Sequence, residues 1–299
     1  MGTDPQPPKS GHHSASLYRA TWFCLGSWIA RWLPLAFTRF FAVGLCRFYA
    51  LAHPAKVACV HKNLTLLDQS IEKEMASRVF GEFGKTLADY FFISTRSTEK
   101  ALTIIREKSG YEHLENLRAQ GTGGIIVTAH LGLFELGGLF MAHHGFPTAV
   151  LTLPEPSPEL TAWRSQARKK WNVDTIEVGT DPFAFIQIAR QLREGCFVAA
   201  LIDRPNAPDP SPVVFPNGTA YFSTGILLIA LECGVPVIPA TMVRQKDGFY
   251  RAEIRPPIWM ESRGSRPETL RFYSQQIADS LMPTLCAHPE QWYQFVPLT

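Results

Sequence analysis

The stretch GGIIVTAHLGLFELGG, residues 123–138, passes from a strand signal to a helix signal within a few residues. GGIIVTA is a short, continuously apolar run opened by glycines, the pattern of a strand buried on both faces. LFELGGLFMAHH (133–144) reads as a helix. His130 falls in the turn between them, and Glu135 in the first turns of the helix. The alternation continues downstream. TAVLTLP (148–154), DTIEVG (174–179), CFVAALI (196–202), VPVIPATMVR (235–244) and FYRAEIRPPI (249–258) predict strands. SPELTAWRSQARKKW (157–171), a segment opened by Asp181-Pro182, STGILLIALECG (223–234) and residues 266–286 predict helices. A Pro-rich loop is expected over 203–218. Near-continuously apolar strands alternating with helices predict an α/β fold: a mixed, largely parallel sheet covered by helices on both faces. No repeat or clear linker interrupts residues 55–299, which read as one domain.

Upstream the pattern changes. Residues 1–16, MGTDPQPPKSGHHSAS, read as a disordered tail, His12 and His13 included. Residues 17–54 are rich in Trp, Phe and Leu, punctuated by Arg19, Arg31, Arg39 and Arg47. The uncharged run from Ala20 to Ala30 is too short to cross a bilayer, and no cleavage site follows it. At helical pitch Arg31, Arg39 and Arg47 fall within an arc of roughly 160°. The expectation is an apolar helix pair broken near Pro34, with an arginine side. Such a pair either packs on the domain core or lies in a membrane interface with its arginines reaching phosphates; the second is expected. AKVACVHKNLTLL (55–67) and SIEKEMASRVFGEFGKTLADYFF (70–92) carry helical spacing, and 55–120 reads as helical throughout.

Composition suggests a surface in contact with lipid or with a partner. Apolar residues make up 46% and charged residues 18%, short of the usual quarter or so. The net charge of +3 permits anionic phospholipid or phosphorylated ligands. No basic run is interleaved with aromatics, so no nucleic-acid partner is expected. The six cysteines lack CxxC spacing and read as buried free thiols, not a zinc site.

The chemistry expected of the opening stretch rests on His130 and Glu135. Mid-helix, positions five apart point away from each other. They can cooperate if His130 sits in the strand-to-helix turn and Glu135 near the positive helix end, which favours its ionised form. The carboxylate could then accept the imidazole N–H and leave the other ring nitrogen as a general base. The end of a strand is where α/β sheets place ligands. A cap or a structural hydrogen bond would explain the same pair without catalysis.

Further blocks follow in order: LIDRP (201–205), VVFPNGTAYFSTG (213–225), ALECGVPVIPA (230–240) and HPEQWYQF (288–295). Together they resemble the lysophospholipid-acyltransferase-like superfamily, with its His-x4-Asp/Glu, FPxGT-like and VPxxP-like blocks. More closely, the chain resembles the lipid A late acyltransferases (the lauroyl and myristoyl transferases) and the related phosphatidylinositol mannoside acyltransferases. Val60-His61-Lys62-Asn63-Leu64 matches their Val-x-x-Asn-Leu stretch, and Arg168 their helix arginine. Asp203-Arg204-Pro205 matches their Asp-x-Asp-like element, Phe215, Gly218 and Ala220 their Phe-Phe-Gly…Ala element, and 288–292 their closing Asn-Pro-Glu-Gln-Trp.

The resemblance implies acyl transfer from a thioester, on acyl-carrier protein or coenzyme A, to a lipid hydroxyl at the cytoplasmic face of a bacterial inner membrane. His130 would be the base and Glu135 its partner. Arg168 and Arg204 would hold phosphate on acceptor or donor, with Asp203, Phe215, Gly218 and Thr219 completing the substrate site. Backbone N–H groups at Gly218-Thr219 or at Gly132 would serve the oxyanion. No metal and no cofactor beyond the acyl donor is implied. Leu133-Phe134 and Pro205 depart from the family's usual residues. Three alternatives accompany a glycolipid acceptor: acylation of a glycerophospholipid, suggested by FPNGT (215–219); a membrane lipid-binding homologue without chemistry, suggested by those departures; and hydrolysis of the thioester, with water in place of the acceptor.

Overall fold

A computed structural model describes residues 20–155, 157–179, 183–205 and 210–298. The expected tail and the Asp181-Pro182 helix start lie outside the described residues. The chain begins with helices α1 (Ala20–Trp32), α2 (Leu35–Ala52), α3 (Pro54–Leu64), α4 (Lys73–Thr95) and α5 (Thr98–Leu102). Strand β1 (Ile105–Ser109) and α6 (Tyr111–Ala119) lead into β2 (Gly124–Thr128) and α7 (Phe134–His143). Then come β3 (Thr148–Thr152), α8 (Pro158–Lys169), β4 (Val173–Glu177), α9 (Ala184–Arg193) and β5 (Phe197–Leu201). Hairpin β6 (Ser211–Phe215) and β7 (Gly218–Phe222) precede α10 (Gly225–Cys233), β8 (Val237–Arg244), β9 (Tyr250–Ile254) and α11 (Arg266–Ala287).

Seven strands form one sheet in the order β1-β9-β8-β2-β5-β3-β4, with only the β8–β9 pair antiparallel. This is the mixed, largely parallel α/β sheet that the alternation predicted. Alternation of side chains along β2 sorts its residues to opposite faces. Ile125 and Val127 join a core with α9, α10 and α11, while Ile126 joins Leu114 and Leu117 of α6 and Met141 of α7. Helices therefore cover both faces, which is why β2 can be apolar at every position.

Two features differ from the helical reading of 55–120 and the loop reading of 203–218. Residues 105–109, IREKS, form an edge strand whose three central residues are exposed, so no apolar pattern announces it. Ser211–Phe215 pairs antiparallel with β7, and Pro212 is tolerated because the ribbon has only two strands.

Helices α1 and α2 break at Pro34 as expected, since proline supplies no N–H and ends the α1 pattern. Their arginine side is only partly as expected. Arg31 and Arg47 are exposed, but Arg39 turns inward. Its Nε and Nη2 donate to Asp89 at 2.6 and 3.0 Å, and Nη2 also reaches the Gly248 carbonyl at 3.0 Å. Asp89 is fully buried and takes further bonds from Arg244 (3.0 Å) and the Tyr250 hydroxyl (2.6 Å). A buried carboxylate needs such counter-charge, and that need outweighs any phosphate at the surface.

Helix α2 is long and apolar enough to cross a membrane by length and composition. It lies along α4, at a close approach where a Cβ on Gly84 would sit 2.5 Å from the Ala42 carbonyl oxygen. Large apolar side chains remain outward on both helices, among them Trp28, Trp32, Phe40 and Phe48. The six cysteines are free thiols, as read, but only Cys196 is buried; Cys24 and Cys286 are exposed.

Candidate active site

Strand register builds the site. In the parallel pair β2–β5, Thr128 lies opposite Leu201. Two residues beyond that pair, His130 and Asp203 emerge side by side at the strands' C-terminal ends. From here α7 leads toward β3 on one side, while the chain after β5 returns to β8 on the other. Such a divergence is where open α/β sheets bind ligands.

Asp203 is fully buried and accepts four hydrogen bonds. Its Oδ1 lies 2.6 Å from His130 Nδ1, and its Oδ2 accepts the His130 backbone N–H at 2.9 Å. Trp292 Nε1 donates to the same Oδ2 at 2.9 Å, as does Gln294 Nε2. A carboxylate only accepts, so the neutral ring carries its proton on Nδ1 and a lone pair on Nε2. The side chain keeps 17% of its surface open.

Burial pushes the imidazole pKa below its ordinary value against the opposing pull of Asp203, and the Arg204 and Arg164 charges lower it further. For Asp203 burial acts upward, but His130, Arg204 and the Trp292 hydrogen bond bring its pKa down to about 2. The resting site thus combines an ionised acid with a neutral base.

The turn carrying His130 is clamped by backbone. Tyr293 N–H donates to the His130 carbonyl at 2.7 Å, and Leu131 bridges Trp292. Leu133 N–H donates to the Met242 carbonyl at 3.0 Å. Gly132 has φ +59°, and a Cβ there would lie 2.0 Å from the Met242 carbonyl oxygen. Only glycine meets both demands. Its N–H is committed to the Gln291 carbonyl at 3.0 Å, which removes it as an oxyanion donor.

Glu135 sits in the first turn of α7, as expected, but it is not the imidazole's partner. Its carboxylate accepts from Arg168 Nε and Nη2 at 3.0 and 2.5 Å, and from Arg164 Nη2 at 2.8 Å. Arg164 also donates to Glu155. The expected His130–Glu135 bond is therefore corrected: two α8 guanidinium groups claim Glu135, and Asp203 already holds the ring. Burial pushes the Glu135 carboxyl up, and Arg168 and Arg164 overcome it, bringing its pKa to about 2.

The remaining expected residues divide. Arg168 is buried against Glu135, not open to a phosphate. Arg204 reaches the C-terminal segment, with Nε to Gln294 Oε1 at 3.1 Å and Nη2 to the Tyr293 carbonyl at 3.0 Å. Phe215 is buried and stacks on Trp292 at 5.7 Å. Gly218 and Thr219 are exposed at a hairpin whose turn residue Asn217 is tied to Leu66 and Leu67. No hydrogen bond among the described residues joins them to His130.

Sequence reasoning did not single out Arg164, Gln294 or the role of Asn63. Arg164 and Arg168 are i, i+4 and so share one face of α8. Trp292 and Gln294 are i, i+2, which brings both to one side of an extended segment. Asn63 donates to the Gln294 and Val296 carbonyls at 3.0 and 2.8 Å, fastening that segment.

Residues 7–298 match the family of bacterial lipid A biosynthesis acyltransferases. The chain belongs to that family. It is also similar to two phosphatidylinositol mannoside acyltransferases of Mycobacterium tuberculosis, from strains CDC 1551 / Oshkosh and ATCC 25618 / H37Rv. Each is 21% identical over 299 residues, spanning 97% of this chain and 92% of its own length. This member of the lipid A acyltransferase family is an acyltransferase acting on lipid, which agrees with the family resemblance of its motifs.

Proposed function

We propose that this acyltransferase moves a fatty acyl chain from acyl-carrier protein or coenzyme A to a hydroxyl of a bacterial glycolipid, such as a lipid A precursor. The buried Asp203–His130 pair at the ends of β2 and β5 carries the reading. His130 Nε2 takes the acceptor hydroxyl proton as its oxygen attacks the thioester carbonyl carbon. The resulting imidazolium is stabilised by Asp203, whose carboxylate stays ionised. The tetrahedral adduct collapses, the C–S bond breaks, and the imidazolium returns its proton to the leaving thiolate. The products are an ester and a free thiol.

Glu135 acts at one remove. Together with Glu155 it balances the charges of Arg164 and Arg168, and Arg164 left bare would oppose formation of the imidazolium. On this reading the enzyme docks in the interface of the inner membrane's cytoplasmic face, where donor and acceptor meet; the exposed aromatics of α1 and α2 support the docking. The glycolipid acceptor is supported by the names of the family and of the mycobacterial relatives.

Mass spectrometry of total lipids tests the proposal in cells carrying the natural chain, His130→Ala, or no protein. An acylated glycolipid is expected only with the natural chain. A change confined to acylated glycerophospholipids would assign the other acceptor. A full lipid profile with His130→Ala would eliminate the catalytic role.

A further inference from the structure

A groove of about 760 Å³ lies between the end of α2, the start of α3 and the first turns of α4. That is within the range of roughly 300–1,000 Å³ typical of small-ligand sites. Its apolar lining comes from Ala50, Leu51, Pro54, Val57 and Ala58. Arg47, Lys73 and Arg78 supply three cations against one acid, Glu74. Glu74 pairs with Arg78 at 3.4 Å, which leaves Arg47 and Lys73 with no acidic partner within salt-bridge distance among the described residues. Lys73 also opens α4, so the positive end of a 23-residue helix faces the same space.

Beside the groove, Leu45, Phe48 and Leu51 stand outward on α2 at 71%, 71% and 82% exposure. They recur every third residue and so share one face. Grease and unpaired positive charge thus adjoin, the combination that a phospholipid's tails and phosphate match. We infer that this groove binds the headgroup phosphate of an anionic phospholipid, with the acyl chains running along the Leu45–Phe48–Leu51 face. The inference rests on the proposed docking of α1 and α2 at a membrane and names the lipid that this end of the surface selects. An acidic carrier protein would meet the cations but leave the outward apolar face uncovered, so the lipid is favoured.

The test uses the full-length protein and short-chain lipids below their micelle-forming concentrations. Calorimetry compares dihexanoyl phosphatidylglycerol, dihexanoyl phosphatidylcholine and inorganic phosphate. The natural chain is expected to bind the glycerol lipid at least tenfold more tightly than either of the others. Arg47→Gln/Lys73→Gln/Arg78→Gln should abolish that preference, while Arg190→Gln/Arg193→Gln/Lys246→Gln, on other elements, should keep it. Lys73→Gln alone, at an exposed position, should weaken it severalfold and guards against misfolding of the triple variant. Equal binding of the two lipids, or of free phosphate and the glycerol lipid, would overturn the inference. So would a triple variant that keeps the preference and loses turnover only with an acyl-carrier-protein donor. Affinity is read without turnover, so a failed catalytic assignment at His130 leaves this outcome separate. Sedimentation with purely neutral vesicles reports on docking by α1 and α2 independently of the groove.

Discussion

His130 and Asp203 are 73 residues apart in sequence, yet Nδ1 and Oδ1 meet at 2.6 Å because β2 and β5 share a register. Asp203→Asn keeps the shape of the side chain while removing the charge that holds the ring tautomer. We expect kcat to fall by about 10²–10⁴-fold. Steady-state kinetics with the natural acyl donor checks this. A loss under threefold in a folded variant would mean that Asp203 only supports structure.

The pH dependence follows from the same pair. A base with a lowered pKa stays competent below the ordinary histidine range of about 6.5. The acidic limb of kcat/KM should therefore lie below that value, and a limb at or above it in the natural chain would count against His130 as the base. Stability has two windows. The folded state resists protonating His130, so stability is full above the unfolded value of about 6.5 and declines as pH falls toward the folded value. Asp203 and Glu135, both near 2 when folded, contribute stability above their unfolded values of about 4. That contribution is lost as pH falls toward 2. Urea midpoints from pH 8 to pH 3 should show both declines, and His130→Ala should flatten the upper one.

Glu135 and Arg168 are each 5% exposed, so removing one partner strands the other's charge. Arg168→Met should cost about 3–5 kcal/mol. Glu135→Gln/Arg168→Met should recover part of that loss, giving a positive coupling in a double-mutant cycle. Urea denaturation of the four proteins measures it. Simple additivity would show that Arg164 alone satisfies Glu135.

Gly132→Ala should disturb the site more than the fold. The positive φ costs about 1 kcal/mol for alanine, and the Met242 carbonyl must also move. Activity should drop at least tenfold, because the displaced backbone carries the imidazole. Circular dichroism and kinetics on the same sample separate the two effects.

Trp28, Trp32, Phe40 and Phe48 are exposed at 63–74%. Replacing all four by Ser should shift the protein from the membrane to the soluble fraction, since each large apolar side chain contributes about 1.5–3 kcal/mol when buried. Wholesale deletion of residues 1–50 is a poorer test, because it would also strip α4 of Arg39 and expose Asp89.

Much of this was legible in the amino-acid order. Continuous apolar strands announced the parallel sheet, and the turn after β2 announced the imidazole. Glu135 was placed in the right helical turn but given the wrong partner. The reason is that Asp203 reaches His130 through strand register, which no local pattern encodes. The family resemblance puts Asp203 in the substrate site, but nothing in the Pro-rich loop around it points to the imidazole. The edge strand β1 was lost because IREKS shows no alternation of apolar residues. Arg39 looked like its neighbours Arg31 and Arg47 on a helical wheel; only the position of Asp89 on α4 tells them apart.

Asp203 is gripped by Trp292 and Gln294, which Asn63 in turn fastens from α3. Synthesis runs the other way, delivering β2 and its histidine more than 150 residues earlier. A nascent chain therefore holds an unoriented imidazole until those residues have been made, and its base forms only after the chain has grown more than 150 residues past the histidine.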